Sequence, residues 1–396
     1  MKSSARGGML SVCLGMWWVA SCGPSIGPPA EAPPRSAAGG LQGSGSPSEH
    51  ALPGQVHGVK GALAVAAGYY HSLAVRDDRT VWAWGDNEEG QLGDGTLSRR
   101  PEPVQVLGLS DVVSVTAGGL HSLAVHAEGT VWAWGSNQYG RLGDGTQDNR
   151  AAPVRVQGLS GVVSVTAGAS HSLAVRSDGT VWAWGSNAFG QLGDGTLNNR
   201  STPVQVQGLR EVVAVAAGGL HSLAVCADGT VWVWGYNASQ SWGDGSTSRL
   251  IVPVRMPGLS GAVAVEAGTW LSLAIRSDGT VWDVGGGPLP VQVPRLGRVV
   301  AVAAGELQAL AVRDDGTVWA WEYGGEEALW EDTGGSPSPL VQVPGLDGVR
   351  AVAYGLYHSL AVRSDGTVWA WGCNSDGQLG QGLPLGATPE VRSSLD

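Results

Sequence analysis

Short apolar stretches alternate with turn residues along most of the chain, from residue 51 to residue 396, and the alternation repeats. Each unit approximates VVxVxAGxxHSLAVxxDGTVWAWGxNxxGQLGDGTxxxxxxPVQVxGL. The stretches VVxVxA, HSLAV, VWAW and PVQV have the length of β-strands, and Asp-Gly pairs such as Asp178-Gly179 favour tight hairpins. No part of the unit has helical periodicity. The pattern therefore predicts four antiparallel strands per unit.

The number of units follows from the dipeptide Ala-Gly that ends the first strand. Its glycine recurs seven times, with Tyr replacing Ala in the last copy, at Gly68, Gly118, Gly168, Gly218, Gly268, Gly305 and Gly355. Seven four-stranded units predict an all-β fold, a seven-bladed β-propeller of four-stranded antiparallel blades. We expect these glycines to lie where the blades converge on the axis and a Cβ atom would collide.

Tryptophan marks the third strand of every unit. Trp82 and Trp84 are the first of 14 equivalent positions, of which 13 are Trp and one is Val284. Both faces of this strand are apolar, as expected for a sheet packed between two others. The last unit keeps Trp369 and Trp371, whereas a solenoid should end in a polar cap.

The two ends of the repeat region are incomplete. The first unit begins at Leu63-Ala64-Val65 without a full preceding strand, and Thr388-Pro389-Glu390-Val391 resembles PVQV without a following one. We therefore predict that strands from both termini complete one blade and close the ring.

Five histidines share one repeat position, where a metal ring or general bases could be imagined: His71, His121, His171, His221 and His358. Neighbouring blades lie about 10 Å apart, too far to share a metal ion. We predict structural histidines whose ring nitrogens satisfy backbone groups. Leu271 and Gln308 replace them in units five and six.

The GDGT and GDGS loops, with Asp94, Asp144, Asp194 and Asp244, resemble calcium loops only superficially. One carboxylate per loop falls short of the six to eight oxygen ligands that Ca²⁺ takes. Turn formation is the better interpretation, and we expect neither a metal nor a cofactor.

The N-terminus differs from the repeats. Lys2 and Arg6 precede an apolar run, Met9–Ala20, that is too short to span a bilayer, so residues 1–21 are predicted to be a signal peptide. The run ends in Val-Ala-Ser-Cys22, which resembles the lipobox of bacterial lipoproteins and implies diacylation of Cys22. The alternative is an ordinary secretory signal cut near Ser21, which would release the protein.

Residues 22–50 are rich in Pro, Gly and Ser and cannot build a core, so we predict a disordered tether before the propeller of residues 51–396. The expected location is the cell envelope, lipid-anchored and facing the periplasm or the exterior, and the outer membrane if the cell has one.

Charge excludes one class of partner. The chain has 23 Lys and Arg against 34 Asp and Glu, a net charge of −11, which disfavours nucleic acid. The only membrane contact that we expect is the lipid anchor.

Function is expected where the sevenfold symmetry breaks. The two residues after each Ala-Gly vary and should cluster at one mouth of the ring, while units four and six carry unusual aromatic and acidic loop residues. The predicted binding rim comprises Tyr69, Tyr70, Tyr236, Trp242, Trp270, Tyr323, Glu326, Glu327, Trp330, Glu331, Asp332 and Tyr357. The alternatives are filler at the rim and neutral drift in divergent repeats.

The stretch from Ala167 to Thr196, AGASHSLAVRSDGTVWAWGSNAFGQLGDGT, resembles the regulator of chromosome condensation repeat family. The resemblance extends over about residues 60–392. It implies a seven-bladed β-propeller. The family includes nuclear guanine-nucleotide exchange factors, ubiquitin-ligase modules and secreted bacterial β-lactamase inhibitor proteins, so the resemblance specifies architecture more than function.

No GxSxG, Walker A or HExxH motif occurs in the sequence. We therefore expect a non-enzymatic, membrane-anchored and monomeric propeller scaffold that binds an unknown protein or glycan outside the cytoplasm through its rim loops. The alternative is a regulator of an enzyme, either an inhibitor or an exchange-factor-like regulator of a small GTPase. An enzyme with its site in the central channel is a more distant third hypothesis.

Overall fold

A computed structural model of the chain describes residues 52–237, 249–285, 289–322 and 340–382. These ranges form seven four-stranded antiparallel sheets, so the predicted seven-bladed β-propeller is confirmed. The first strand is β1 (Gly54–Gln55), and blades 1 to 3 consist of β2 (Ala62–Ala67), β3 (His71–Arg76), β4 (Val81–Gly85), β5 (Arg100–Gln105); β6 (Val112–Ala117), β7 (His121–His126), β8 (Val131–Gly135), β9 (Arg150–Arg155); β10 (Val162–Ala167), β11 (His171–Arg176), β12 (Val181–Gly185) and β13 (Arg200–Gln205).

Blades 4 to 7 continue the same order from the inner to the outer strand. They consist of β14 (Val212–Ala217), β15 (His221–Cys226), β16 (Val231–Tyr236), β17 (Arg249–Arg255); β18 (Ala262–Ala267), β19 (Ser272–Arg276), β20 (Val281–Asp283), β21 (Val291–Gln292); β22 (Val299–Ala304), β23 (Gln308–Arg313), β24 (Val318–Glu322), β25 (Val341–Gln342); and β26 (Val349–Tyr354), β27 (His358–Arg363), β28 (Val368–Gly372), with β1 as the outer strand of blade 7. One helical turn, Gln138–Gly140, lies between β8 and β9. Within these ranges, no helix has the length and apolar character that crossing a membrane requires.

The ring closes in blade 7, which combines the first and last described strands. Gly54 pairs with Ala370, and the amide of Val56 donates to the carbonyl of Val368 at 2.8 Å. Closure by both chain ends is as predicted, but the outer strand comes from residues upstream of Leu63. The segment Thr388–Val391, which resembles the PVQV stretch of the repeat, lies outside the described residues.

The tryptophan strands pack between neighbouring blades. Trp84 is fully buried against Ala351, Ala353 and Leu360 of blade 7. Ala83, on the other face of the same strand, packs toward Trp134 of blade 2. Each indole therefore fills the space that the small side chains of the preceding blade leave open.

Glycine is required where the inner strands end at the axis. A Cβ atom on Gly168 would lie 2.4 Å from the carbonyl oxygen of Gly218 in the next blade and 2.6 Å from Cε1 of His171. Backbone from adjacent blades therefore comes within a distance that no side chain allows.

The two faces of the disc carry different loops. The face at which the inner strands end, here called the mouth face, carries the loops from the first to the second strand, such as 68–70, and those from the third to the fourth, such as 86–99. The opposite face carries the Asp-Gly-Thr hairpins. Because β1 runs antiparallel to β28, the chain enters the propeller from the mouth face.

Candidate functional site

The repeated histidines join each blade to the next. Nε2 of each one lies within hydrogen-bond distance of a serine hydroxyl in the following blade, at 3.0 Å for His71–Ser122, 3.0 Å for His121–Ser172, 2.9 Å for His171–Ser222, 2.7 Å for His221–Ser272 and 2.8 Å for His358–Ser72. Nε2 is therefore hydrogen-bonded to a side-chain hydroxyl, and the prediction of a backbone partner for it is wrong.

The serine settles which nitrogen carries the proton. Ser122 donates its single hydroxyl proton to the carbonyl oxygen of Gln91 at 2.9 Å, so it accepts the bond from Nε2 of His71. Nδ1 of His71 is buried without a hydrogen-bond partner. Burial lowers the pKa of His71 to about 3, so this ring is neutral at physiological pH. A histidine in this state is a fixed donor and is poorly suited to general-base chemistry.

The GQLG loop of one unit inserts into the next interface beside this bond. Leu92 is fully buried in the cluster formed with blade 2. The carbonyl of Gln91 accepts a second bond from Nε1 of Trp134 at 2.8 Å, and a Cβ atom on Gly93 would lie 2.9 Å from that nitrogen. The loop thus uses one carbonyl to hold the serine and the tryptophan of the following blade.

In blades 5 and 6 this interblade contact is replaced, and both of its partners change together. Leu271 stands at the histidine position of blade 5, and Ala309 stands at the serine position of blade 6. An apolar pair therefore replaces the polar pair and leaves neither polar group behind. At the next interface Gln308 replaces the histidine, and the hydroxyl of Tyr354 donates to its Oε1 at 2.6 Å.

The aspartates of the GDGT loops brace those loops. Oδ1 of Asp94 accepts bonds from the amide and hydroxyl of Thr96, and Oδ2 pairs with Arg100 at 2.7 Å. Burial acts to raise the pKa of Asp94, but the bonds from Thr96 and Arg100 outweigh it and lower the pKa below its ordinary value. Within the described ranges, no group of three or more His, Cys, Asp or Glu side chains has a geometry that could hold a metal ion.

One aromatic cluster lies on the mouth face of blades 3 to 5. The ring centroids of Phe189 and Tyr236 are 5.1 Å apart, and those of Tyr236 and Trp270 are 6.4 Å apart, both in edge arrangements. Cζ of Arg249 lies 5.2 Å from the Phe189 centroid. Trp270 is 50% exposed, in contrast to the buried or partly buried tryptophans of the blades. We call these four residues the aromatic patch.

A second cluster lies at the junction of blades 1 and 7. Tyr70 is 6.3 Å from Tyr69 and 6.1 Å from Tyr357 between ring centroids. All three are partly buried. The predicted rim thus divides into two clusters, with Tyr236 and Trp270 in one and these three tyrosines in the other.

Sequence reasoning missed two residues of the aromatic patch. Phe189 occupies a loop position that is Glu89 in unit one and Tyr139 in unit two, and it is the only Phe of the chain. The presence of a single Phe in the chain was the feature that could have pointed to this residue. Arg249 follows the divergent loop of unit four, and nothing in the repeat pattern distinguishes it.

Several predicted residues cannot be placed. Cys22 and the rim residues Trp242, Tyr323, Glu326, Glu327, Trp330, Glu331 and Asp332 lie outside the described residues.

The inner strands enclose a narrow channel at the axis. Its cavity has a volume of about 80 Å³ and is lined mainly by the Ala-Gly dipeptides, with Tyr69, Thr269, Glu306 and Tyr354 as larger polar side chains. The ring of backbone around it is itself bonded: the amide of Gly119 donates to the carbonyl of Gly168 at 3.2 Å, and equivalent bonds join other neighbouring blades.

Models of related families match more than half of the chain. A model described as an RCC1-like domain matches residues 35–210, and one described as the regulator of chromosome condensation (RCC1) repeat matches residues 212–246 and 349–378. None of the curated proteins matches the chain significantly.

Solved structures share the fold at low identity. Human WBSCR16 is 23% identical over 84% of this chain and 92% of its own, with a TM-score of 0.69. Yeast RCC1 (Prp20), solved in a complex with Kap60, is 20% identical over 90% of this chain and 89% of its own, with a TM-score of 0.65. Prp20p from Saccharomyces cerevisiae, described together with its binding to Gsp1p and histones, is 23% identical over 84% of this chain and 85% of its own, with a TM-score of 0.65.

Proposed function

The chain belongs to the regulator of chromosome condensation (RCC1) repeat family, and we propose that it acts as a non-enzymatic scaffold that binds a protein or glycan outside the cytoplasm through its mouth-face loops. The histidines and loop aspartates are engaged in holding blades and loops together. The variable side chains of the mouth face remain for recognition. A rigid ring that presents variable loops is a common basis for binding.

The aromatic patch carries this proposal. Tyr, Trp and Arg are the residue types that contribute most to binding energy in protein interfaces, and aromatic faces also stack on sugars. Trp270 is half-exposed, whereas every other tryptophan of the described residues is buried or partly buried. Phe189, Tyr236 and Arg249 support it from two further blades. A partner seated here would contact blades 3, 4 and 5 together.

Membrane attachment is the second part of the proposal. The lipobox-like sequence before Cys22 supports acylation at that residue, and residues 23–50 have the composition of a linker. The chain enters the propeller from the mouth face, so the anchor would be connected on the side that bears the aromatic patch. Incorporation of labelled palmitate in the wild type and its loss in Cys22→Ser would support this part. Equal labelling of both would contradict it.

The binding proposal is tested by capture of partners from envelope extracts with the mature protein. We expect Trp270→Ala to reduce the capture of a specific partner at least tenfold, because it removes the large exposed indole of the patch. Leu107→Ser is the matched control, since Leu107 is similarly exposed, at 51%, but follows an outer strand on the opposite face. If both variants capture the same partners as the wild type, the aromatic patch is not the binding surface.

Regulation of an enzyme is the alternative function. The yeast neighbour Prp20p is described as binding Gsp1p, and the mouth-face loops of the present chain could also cover the active site of a secreted hydrolase as an inhibitor. Full activity of a candidate hydrolase in excess purified protein would argue against inhibition. Acylation of Cys22 would argue against regulation of a cytoplasmic GTPase.

A further inference from the structure

A buried arginine lies beside the channel mouth at a position where other units carry glutamine. Arg141 corresponds to Gln91, Gln191 and Gln378 in the GQLG loops. It is 3% exposed, and no other Lys or Arg of the described residues is buried to this degree. None of the described carboxylates lies within ion-pair distance of it. A buried charge without a counter-charge is costly, so its presence requires an explanation.

The hydrogen bonds of Arg141 leave part of its guanidinium free. Nε donates to the carbonyl of Gln138 at 3.0 Å, Nη2 to the side-chain oxygen of the same residue at 3.4 Å, and Nη1 to the carbonyl of Ala169 at 3.2 Å. The ring of Tyr139 lies 5.9 Å from Cζ. A guanidinium has five N–H donors, so one N–H on each terminal nitrogen has no acceptor among the described residues. Such a pair of donors matches the two oxygens of a carboxylate.

Ala169 connects this group to the channel. Ala169 lines the central cavity, and its carbonyl oxygen would lie 2.7 Å from a Cβ atom on Gly119. The same Cβ atom would lie 3.1 Å from Cε2 of Tyr69, so the Tyr69 ring and Nη1 of Arg141 flank one short stretch of backbone. The guanidinium therefore lies directly behind the cavity wall at Ala169.

Tyr69 is under the electrostatic influence of two opposite charges. Tyr69 of blade 1 and Thr269 of blade 5 both line the central cavity. Burial raises its pKa to about 12, Arg141 acts to lower it, and Glu306 acts to raise it. Tyr69 is thus a neutral donor within electrostatic range of a cation and of a carboxylate that also lines the cavity.

The cavity sets the size of any ligand. Its volume of about 80 Å³ is far below the range of drug-sized sites, about 300–1,000 Å³, and its wall is mostly Gly and Ala backbone. Glu306 and the wall carbonyls oppose a dianion such as phosphate. They favour a small ligand that presents a carboxylate at one end and an N–H donor at the other.

We propose that Arg141 and Tyr69 bind the carboxylate of a free amino acid, or of the last residue of a peptide, at the mouth of the central channel, with the ligand's N–H group directed toward Glu306. Free amino acids and peptide C-termini share this chemistry. The site is independent of the aromatic patch, so a test of this proposal does not depend on the function proposed above.

The test is thermal unfolding of the full chain with three probes: glycine, N-acetylglycine and N-acetylglycinamide, which lacks the carboxylate. We expect saturable stabilisation by glycine or by N-acetylglycine and none by the amide. Stabilisation by glycine identifies a free amino acid, and stabilisation by N-acetylglycine alone identifies a peptide terminus.

Arg141→Gln is the decisive variant, because it restores the residue of the neighbouring units. Gln191 shows how this side chain is accommodated, with Nε2 donating to Ser186 at 3.3 Å. We expect the variant to fold and to bind at least tenfold more weakly, since it loses the charge-assisted hydrogen bonds to the carboxylate. Tyr69→Phe, which keeps the ring, should weaken binding less.

Two results would overturn the proposal. One is equal stabilisation of the wild type and Arg141→Gln by the carboxylate probes. The other is equal stabilisation by the carboxylate and the amide. Should Arg141→Gln fail to fold, Arg141→Lys keeps the charge but loses the paired donors, and unweakened binding by that variant would be equally decisive against the proposal.

Discussion

Nε2 of His171 in blade 3 donates a hydrogen bond of 2.9 Å to the hydroxyl of Ser222 in blade 4. Ser222 in turn donates to the carbonyl of Gln191, which belongs to the loop that blade 3 inserts into the same interface. The two blades are therefore joined through a buried chain of three groups. A network of this kind is strong only when every member is satisfied.

Removal of the serine alone should be costly. Ser222→Ala leaves the Nε2 proton of His171 buried without an acceptor, and we expect a loss of about 1–3 kcal/mol in the free energy of unfolding. The double variant His171→Leu, Ser222→Ala reproduces the pair Leu271 and Ala309 and should recover part of that loss. Urea unfolding is measured for the wild type, for each single variant, Ser222→Ala and His171→Leu, and for the double variant. A double variant as unstable as the sum of its single changes would contradict this coupling.

Acid should destabilise the propeller above the pH range in which carboxylates titrate. Burial lowers the pKa of His71, His171 and His358 to about 3 and that of His221 to about 4, from an ordinary value of 6.5. For His121, burial and then Arg141 lower it well below that value. The unfolded chain therefore binds more protons than the folded one below pH 6.5, so stability is retained above that pH and lost as the pH falls.

Each such histidine should contribute about 1.4 kcal/mol of lost stability per pH unit below its unfolded pKa. Unfolding measured between about pH 6.5 and 4.5 isolates this effect from most carboxylates. The variant His171→Leu, Ser222→Ala should show a slope smaller by one proton. An unchanged slope would mean that His171 is not the neutral group described above.

Substitution at the axis should show how closely the blades approach. Gly168→Ala places a methyl group 2.4 Å from the carbonyl oxygen of Gly218, and we expect a loss of about 3 kcal/mol or failure to fold. Gly297→Ala is the control, because a Cβ atom there meets nothing within 4 Å. We expect its unfolding midpoint to stay near that of the wild type. Similar midpoints for the two variants would contradict the close approach.

Loss of the closing strand should weaken the ring. Val56 and Val59 are each only 1% exposed in the core of blade 7. Deletion of residues 1–60 should therefore cost about 3–6 kcal/mol, at about 1.5–3 kcal/mol for each buried valine. Deletion of residues 1–51 retains β1 and serves as the control. Amide exchange along β28 should rise only in the longer deletion, and slow exchange in both would show that β1 is dispensable.

The fold could be predicted from the sequence because it rests on local, repeated signals. Turn residues such as Asp178-Gly179 and the paired tryptophans recur at nearly fixed spacing, so each unit supports the interpretation of the others. The residues that form the closing strand were harder to predict from the sequence. Gly54–Gln55 is only two residues long, and in the stretch Pro53-Gly54-Gln55-Val56 a glycine replaces the first valine of the PVQV pattern.

The contacts between units were hidden for a different reason. His71 and Ser122 are 51 residues apart, which is one repeat plus one position, so the bond is invisible within a single unit. The joint loss of histidine and serine at Leu271 and Ala309 was the available clue. The aromatic patch and the carboxylate site depend on which side chains of different blades meet, and periodicity carries no information about that.

Each regular joint between blades takes its histidine and inserted loop from one unit and its serine and tryptophan from the next, and most units carry both halves. Excision of a whole regular unit, such as the one that begins at Val112, would therefore bring matching halves together again. The side-chain contacts between blades therefore do not by themselves determine how many blades the ring contains. The number seven must be imposed by the wedge shape of each sheet, which determines how many copies complete a full turn.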